Sequence, residues 1–310
     1  MILLCGIPSE PPLDMVATEL TRLRAPFVVF NQRHVAAATM TLIQDDEGPA
    51  GTLHLGTEEV RLGDVRGVYT RLMNPAFLPE LARVPADGPE RFHAARVHDL
   101  LVRWCEVAPA RVVNRIAAGG SNASKPYQAA LIMEAGLRVP DTLVTNDPAA
   151  AEAFVERHGR VVYKSASGAR SIVQELSHED RARLADVAAC PTLLQRLVVG
   201  TNVRVHVVGD AVFATRIESD AIDYRYAGRT TGVPATLTAT QLDDDTAARC
   251  VALTRRLGLA FSGIDLMVTD DGETFCLEAN PCPGFSYFES HTGQPIAQTL
   301  AAYLSDSLRS

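Results

Sequence analysis

The sequence predicts an α/β protein built from more than one lobe. Three observations carry this: a strand, helix, strand order at the N-terminus, a continued alternation of apolar runs with helical spacing to about residue 198, and two antiparallel hairpin patterns in the last third. MILLCGI is a short buried strand, PLDMVATELTRL carries apolar residues at helical spacing, and PFVVF is a second strand, so this segment reads as a βαβ unit of a parallel sheet. TLHLG and EEVRLG predict a small hairpin, GVYTRL a strand, residues 89–107 a long helix ending before Pro109, and ARVVNRI a closing strand. After the loop AAGGSNAS, a helix over residues 125–135 leads into strand VPDTLVT, helix PAAAEAFVERHG and strand VVYKS. A small-residue loop, strand IVQEL, helix HEDRARLADVA and strand TLLQRLVV follow. The final segment holds two hairpins around a polar excursion and a helix, then a helix from residue 295 onward. Lobes of this kind leave a cleft, as enzymes do.

The 310 residues are many for one core and suggest lobes of about 100 to 150 residues each. With 47% hydrophobic and 21% charged residues the composition is that of an ordinary globular protein. The net charge of −8, without any block of basic residues, makes nucleic acid an unexpected partner. The first apolar run is too short for the core of a signal peptide and lacks a basic lead. No stretch approaches the roughly 20 apolar residues that span a bilayer. No membrane association is expected, and the expected location is cytoplasmic. Six cysteines are scattered without a C-x-x-C pair, so buried free thiols are expected rather than a zinc site or a disulfide framework.

Only Lys125 and Lys164 are lysine among the 29 basic residues. A compact ammonium on a flexible stem serves as a point charge against phosphate, which a planar guanidinium does differently. Lys164 ends a buried strand and precedes SASGARS, whose small residues leave backbone N–H groups able to approach phosphate oxygens. The segment does not match G-x-x-x-x-G-K-[ST], which excludes a P-loop ATPase. By itself it is equally a surface turn, and Lys125 by itself is equally an exposed helix residue.

GIDLMVTDDGETFCLEAN alternates apolar and polar residues around Asp271-Gly272, which predicts a two-residue turn. Pairing Asp270 with Glu273 places Asp265 opposite Glu278, with Asn280 on the same face as Glu278. Ile264, Leu266, Val268, Phe275 and Leu277 then point to the core. Facing carboxylates repel, and a hard cation removes the conflict; oxygen ligands with few carboxylates suit Mg²⁺. For this hairpin alone, a solvated acidic strand face is the alternative. A second hairpin, NVRVHVVGDAVFATRI, turns at Gly209-Asp210 and sets Arg204 opposite Thr215 and His206 opposite Phe213. His206 reads as a structural partner rather than a catalytic base. The excursion ESDAIDYRYAGR places Arg216, Arg225 and Arg229 near acids.

These residues together resemble the ATP-grasp ligases, in particular the RimK-like enzymes that modify a ribosomal protein. The resemblance covers about residues 115 to 310 well, and the first lobe more weakly. It implies an ATP-grasp fold with a Rossmann-like preATP-grasp domain over residues 1–116, an N-terminal lid subdomain over 117–198 and a C-terminal subdomain with the metal site over 199–310. The family's two nucleotide-binding lysines match Lys125 and Lys164. Its adenine-contacting hinge strand looks like Leu194-Gln195-Arg196-Leu197-Val198, and its flexible glycine-bearing loop matches Ser165, Ser167, Gly168 and Ser171. Its hairpin arginine matches Arg204, with Asn202 where an acid is usual, and the arginine of its D-[FW]-R element matches Arg225. Its metal set, from a G-x-D strand and an E-x-N-P run, falls on Asp265, Glu278 and Asn280.

Further details resemble the microviridin-type (graspetide) synthetases, which build ester or amide cross-links into ribosomal peptides. VVGDAVFATRIES followed by DYR, and LEANP with TGQPIAQTLAAYL, are similar to their patterns, and Tyr69-Thr70-Arg71 stands where they carry a substrate motif. Asn280-Pro281-Cys282-Pro283-Gly284-Phe285 departs from their usual N-P-x-G-Q-W. The resemblance implies an ADP-forming ligase that activates a carboxylate as an acylphosphate, using ATP and two Mg²⁺ ions. An amine or hydroxyl of an amino acid or peptide substrate then displaces phosphate. Arg71 and Tyr224 are implied as substrate contacts, and a homo-oligomer is compatible with this reading. An ATP-grasp phosphotransferase, or a catalytically weak nucleotide-binding protein serving a partner enzyme, is the alternative.

Overall fold

The computed structural model describes residues 1–46, 48–165, 174–219 and 235–306, with 164 and 165 described by their backbone alone. Ile2–Gly6 (β1) is buried at all five positions, as a strand covered on both faces of a parallel sheet must be. Pro11–Arg22 (α1) opens with proline, whose missing N–H costs nothing in a first turn, and buries Leu13, Val16 and Leu20. It returns the chain to Phe27–Asn31 (β2), parallel to β1.

Ala38–Asp45 (β3), Gly48–Leu55 (β4) and Glu58–Arg61 (β5) form an antiparallel sheet. The expected hairpin is β4 with β5; β3 is a further strand. Its period-two pattern is hard to see because its outer half, including Ile43, is exposed.

Gly67–Thr70 (β6) lies beside β1, Pro89–Val107 (α2) covers the sheet, and Arg111–Val113 (β7) closes the parallel order β2-β1-β6-β7. The buried stripe of α2, Ala94, Val97, Leu101, Trp104 and Cys105, follows helical spacing. Each large side chain buried this way contributes about 1.5–3 kcal/mol.

Lys125–Glu134 (α3) carries proline in its first turn. Thr142–Thr145 (β8), Pro148–His158 (α4), Val161–Ser165 (β9), Gln174–Glu175 (β10), His178–Arg181 (α5) and Thr192–Arg196 (β11) follow. They build an antiparallel sheet of order β10-β9-β11-β8. The helix expected over HEDRARLADVA is broken. α5 starts on a capping box between Ser177 and Asp180 but buries nothing, Arg183 leaves helical geometry at φ −109° and ψ 13°, and a 3-10 turn over Leu184–Ala189 buries Val187. The strand expected over TLLQRLVV ends at Arg196, so Leu197 and Val198 lie beyond it.

Thr201–Val208 (β12), Ala211–Glu218 (β13), Thr236–Thr240 (β14), Asp244–Arg256 (α6), Phe261–Val268 (β15) and Thr274–Asn280 (β16) form the third unit. Its antiparallel sheet has the order β14-β13-β12-β15-β16, so the two hairpins join through β12 and β15. Ser286–Thr292 (α7), which the sequence reading omits, and Ile296–Ser305 (α8) follow. α8 packs Leu300, Ala301 and Leu304 against α1 and β1, so one core unites the N-terminal sheet with the C-terminal helix. Cys5, Cys105, Cys250 and Cys276 are buried thiols, while Cys190 and Cys282 are exposed. Burial pushes the Cys105 thiol up to about 12.

Candidate active site

The hairpin β15–β16 places Asp265 opposite Glu278 and Gly263 opposite Asn280, as the alternation requires. It does so by another route than a two-residue turn. Thr269 and Glu273 close a three-residue loop in which Gly272 takes φ 84°, a left-handed conformation that suits glycine. That loop offsets the ladder by one residue, and a bulge at Leu277 restores it before Glu278. Two expected core positions change as a result. Cys276, opposite Leu266, enters the buried cluster with Ile264, Leu266 and Ala279, and Leu277 is only half-buried. Phe275, paired with Met267, is buried beneath the guanidinium groups of Arg138 and Arg196, at 4.7 and 5.1 Å from its ring centre.

Register then extends the polar line across the sheet. Arg204 faces Thr215 on one side, as expected, and Asp265 on the other, because β12 pairs with β15. The row runs Thr215, Arg204, Asp265, Glu278, and α3 ends it with Lys125. Arg204 Nη1 donates to Asp265 Oδ1 at 2.6 Å, and Lys125 Nζ donates to Glu278 Oε2 at 2.8 Å. The repulsion between facing acids is thus offset by a cation at each end.

Two residues missed by sequence reasoning hold this row. Gly263 lies under Arg204: a Cβ there would run into the guanidinium Nη2 and come within 2.6 Å of Pro283 Cβ. The glycine of the G-x-D strand was a readable signal for such a close approach. Asn114 joins β7 to the site by donating to the carbonyls of Phe261 and Pro281, both at 2.6 Å, and accepting from the N–H groups of Ala260 and Phe261. No local pattern marks an amide of that kind. His206 is the structural partner expected, with its ring between Phe261 and Phe288. Burial, reinforced by the Arg204 charge, holds its imidazole well below the ordinary value.

The remaining expected residues fall as follows. Lys164 pairs by its backbone with Leu193, and Ser165 with Thr192, at the end of β9. Gln195 donates to Thr142 Oγ1 at 2.9 Å, the Leu197 N–H donates to the Arg160 carbonyl at 3.0 Å, and Val198 is buried. Ser167, Gly168, Ser171, Tyr224 and Arg225 lie outside the described residues. Arg71 is brought to the loop following Asn280. It donates to the Pro283 carbonyl at 3.1 Å and to Glu10 Oε1 at 2.9 and 2.5 Å. Burial, the largest single influence, would lower the pKa of Arg71, but the bond to Glu10 together with the electrostatics of Tyr69, Cys282 and Glu10 raises it overall.

The donor set fits a hard divalent cation. It comprises two carboxylates and the Asn280 amide oxygen, which accepts from the Cys282 N–H at 2.9 Å and keeps a second lone pair. Among the described residues no group of three His, Cys, Asp or Glu side chains competes with it as a metal site.

A sequence model of the RimK-like ATP-grasp domain matches residues 123–304. The chain belongs to this family. Among curated relatives of this RimK-like chain, a "Probable alpha-L-glutamate ligase" of Cellvibrio japonicus (strain Ueda107) is 30% identical over 110 residues, 36% of each protein. The match therefore spans about a third of that relative's length. Solved structures match over nearly the whole chain. The RiPP-associated ATP-grasp ligase of Chryseobacterium gregarium, in complex with ADP and a leader and core peptide, superposes with TM-score 0.84 at 21% identity, covering 98% of this chain and 96% of the other. The ATP-grasp ligase PsnB, complexed with a phosphomimetic variant of its minimal precursor, Mg and ADP, superposes with TM-score 0.80 at 28% identity, covering 99% and 98%. The ATP-grasp fold expected of this RimK-like chain is therefore present. Among its described residues no helix is long and apolar enough to cross a membrane.

Proposed function

We propose that this chain is an ATP-dependent, ADP-forming ligase that joins a peptide carboxylate to an amine or hydroxyl. The observation that carries the reading is the row Arg204, Asp265, Glu278 and Lys125, in which two cations hold two facing acids in a line across one sheet. The likeness to PsnB over 99% of the chain supports a peptide substrate. In this reading residues 1–116 are the preATP-grasp domain, 117–198 the lid subdomain and 199–310 the metal-bearing subdomain, and the enzyme works in the cytoplasm.

The substrate carboxylate attacks the γ-phosphorus of ATP, ADP leaves, and the acceptor then displaces phosphate from the acylphosphate. Such chemistry is mostly positioning and charge neutralisation. Asp265, Glu278 and Asn280 would hold Mg²⁺, as two ions. When bound, the metal supplies positive charge against the phosphate oxygens. Lys125 and Lys164 hold the α and β phosphates, and the segment with Ser165, Ser167, Gly168 and Ser171 covers them and excludes water. Gln195, Arg196, Leu197 and Val198 line the adenine. Arg204 and Arg225 stabilise the transferred phosphoryl group, a planar fork suiting a multi-oxygen anion. Arg71 and Tyr224 contact the substrate.

The test is incubation of the purified protein with ATP, Mg²⁺ and candidate peptides, followed by mass spectrometry and product assay. Ligation within a peptide gives ADP, free phosphate and a product lighter by one water. A phosphorylated peptide without free phosphate would instead identify a phosphotransferase, and AMP with pyrophosphate would refute the mechanism. Lys164→Ala should weaken ATP binding or turnover; Arg71→Ala should disturb peptide use with ATP binding retained.

A further inference from the structure

β16 is the outer strand of its sheet, so the backbone groups on its free edge need partners from elsewhere. At Ala279 both are met by one side chain. Gln128 of α3 donates from Nε2 to the Ala279 carbonyl at 2.9 Å and accepts at Oε1 from the Ala279 N–H at 3.1 Å. Gln128 is 1% exposed and Ala279 equally buried, so water cannot replace either bond.

Ala279 stands between Glu278 and Asn280, whose side chains leave the strand on the face opposite its own. Gln128 also lies three residues after Lys125, on the same helix face, and Lys125 reaches Glu278. One helix face thus fixes the strand and supplies the cation beside it.

We propose that Gln128 is a positioning residue for the metal edge. Its two-pronged bond to Ala279 sets the height and direction of Glu278 and Asn280 relative to Lys125. It touches neither nucleotide nor substrate. Only a primary amide of this length meets a backbone donor and acceptor together; a shorter amide reaches one of them, and methionine fills the space with no bond. The inference rests on Asp265, Glu278 and Asn280 being the metal site.

The test measures Mn²⁺ affinity in the presence of ADP, from the free-ion paramagnetic resonance signal, for the full chain and four variants. Glu278→Gln tests the site itself. Gln128→Met tests the positioning, with Gln128→Asn in its place should the methionine variant show no cooperative melt. Ile132→Val, in the buried face of the same helix, controls for general loosening of α3. Gln128→Met or Gln128→Asn is expected to weaken Mn²⁺ by about tenfold or more, as loss of an outer partner of metal ligands does. Ile132→Val is expected to lower the melting temperature while leaving Mn²⁺ affinity within about twofold of wild type. Wild-type Mn²⁺ affinity in the Gln128 variant, or an equal loss in Ile132→Val, would overturn the positioning role alone, provided Glu278→Gln weakens the ion. Unchanged affinity in Glu278→Gln would overturn the metal site and this inference with it.

Discussion

Asp265 and Glu278 face each other in one ladder, yet they meet their cations in different surroundings. The side chains of Arg204 and Asp265 are 7% and 19% exposed, and those of Lys125 and Glu278 are 22% and 27% exposed. Arg204 is further wedged over Gly263 and lies 5.8 Å from the centre of the Phe288 ring. Charges withdrawn from water interact more strongly and are costlier to leave unpaired. The Arg204 end is therefore a fixed part of the sheet. The Lys125 end is a point charge on a flexible stem nearer to solvent, and in the proposed reaction it would exchange its acid for phosphate.

The largest test of this contrast removes one acid at a time. Asp265→Ala should cost about 2–4 kcal/mol in urea unfolding, because it takes that carboxylate from a buried guanidinium, whereas Glu278→Gln should cost about 0–1 kcal/mol. Both should lower ligase turnover by about 10²-fold or more. Equal stability losses would remove the distinction between the two ends. Gly263→Ala forces a methyl against the Arg204 guanidinium and should cost about 1–3 kcal/mol by overpacking.

His206 reports on how dry the Arg204 end is. Its folded pKa lies below the unfolded value of about 6.5, so the unfolded chain binds more protons there and stability falls as pH drops through that value. The contribution is up to about 1.4 kcal/mol per pH unit until the folded pKa is reached. His206→Phe should flatten the decline of melting temperature between about pH 6.5 and pH 5, and Lys125→Met should leave that slope unchanged. The smallest effect is on salt. Double-mutant cycles should give Lys125 and Glu278 a coupling below about 1 kcal/mol that shrinks from about 0.05 M to about 0.5 M salt, while Arg204 and Asp265 keep most of theirs.

Local patterns made much of this legible. The pairing of Arg204 with Thr215 and of Asp265 with Glu278 follows from turn residues and period two, and both are observed. The second holds although the turn is longer than read, because the extra residue in the loop is matched by the extra residue at the bulge. Hidden from such reading was everything set by tertiary contact. The pairing of β12 with β15 brings Arg204 to Asp265, and the docking of α3 brings Lys125 to Glu278. Gln128 and Asn114 are amides whose meaning lies wholly in a distant backbone, and α7 is too short to show a periodic stripe. Lys125 and Lys164 stood out by rarity, a compositional signal that neither strand nor helix periodicity supplies.

The bulge separates the presence of a ligand from its aim. Removing Leu277 outright, rather than replacing it, would leave Cys276 followed directly by Glu278 opposite Leu266 and Asp265, an unbroken ladder with every partner kept. What the deletion would erase is the local twist that a bulge imposes on its strand. A shortened chain that still melts cooperatively and still pairs these two acids, but binds Mn²⁺ poorly, would show that the carboxylate must be turned as well as supplied. In that respect Leu277, a side chain with no chemistry of its own, belongs to the site as spacing.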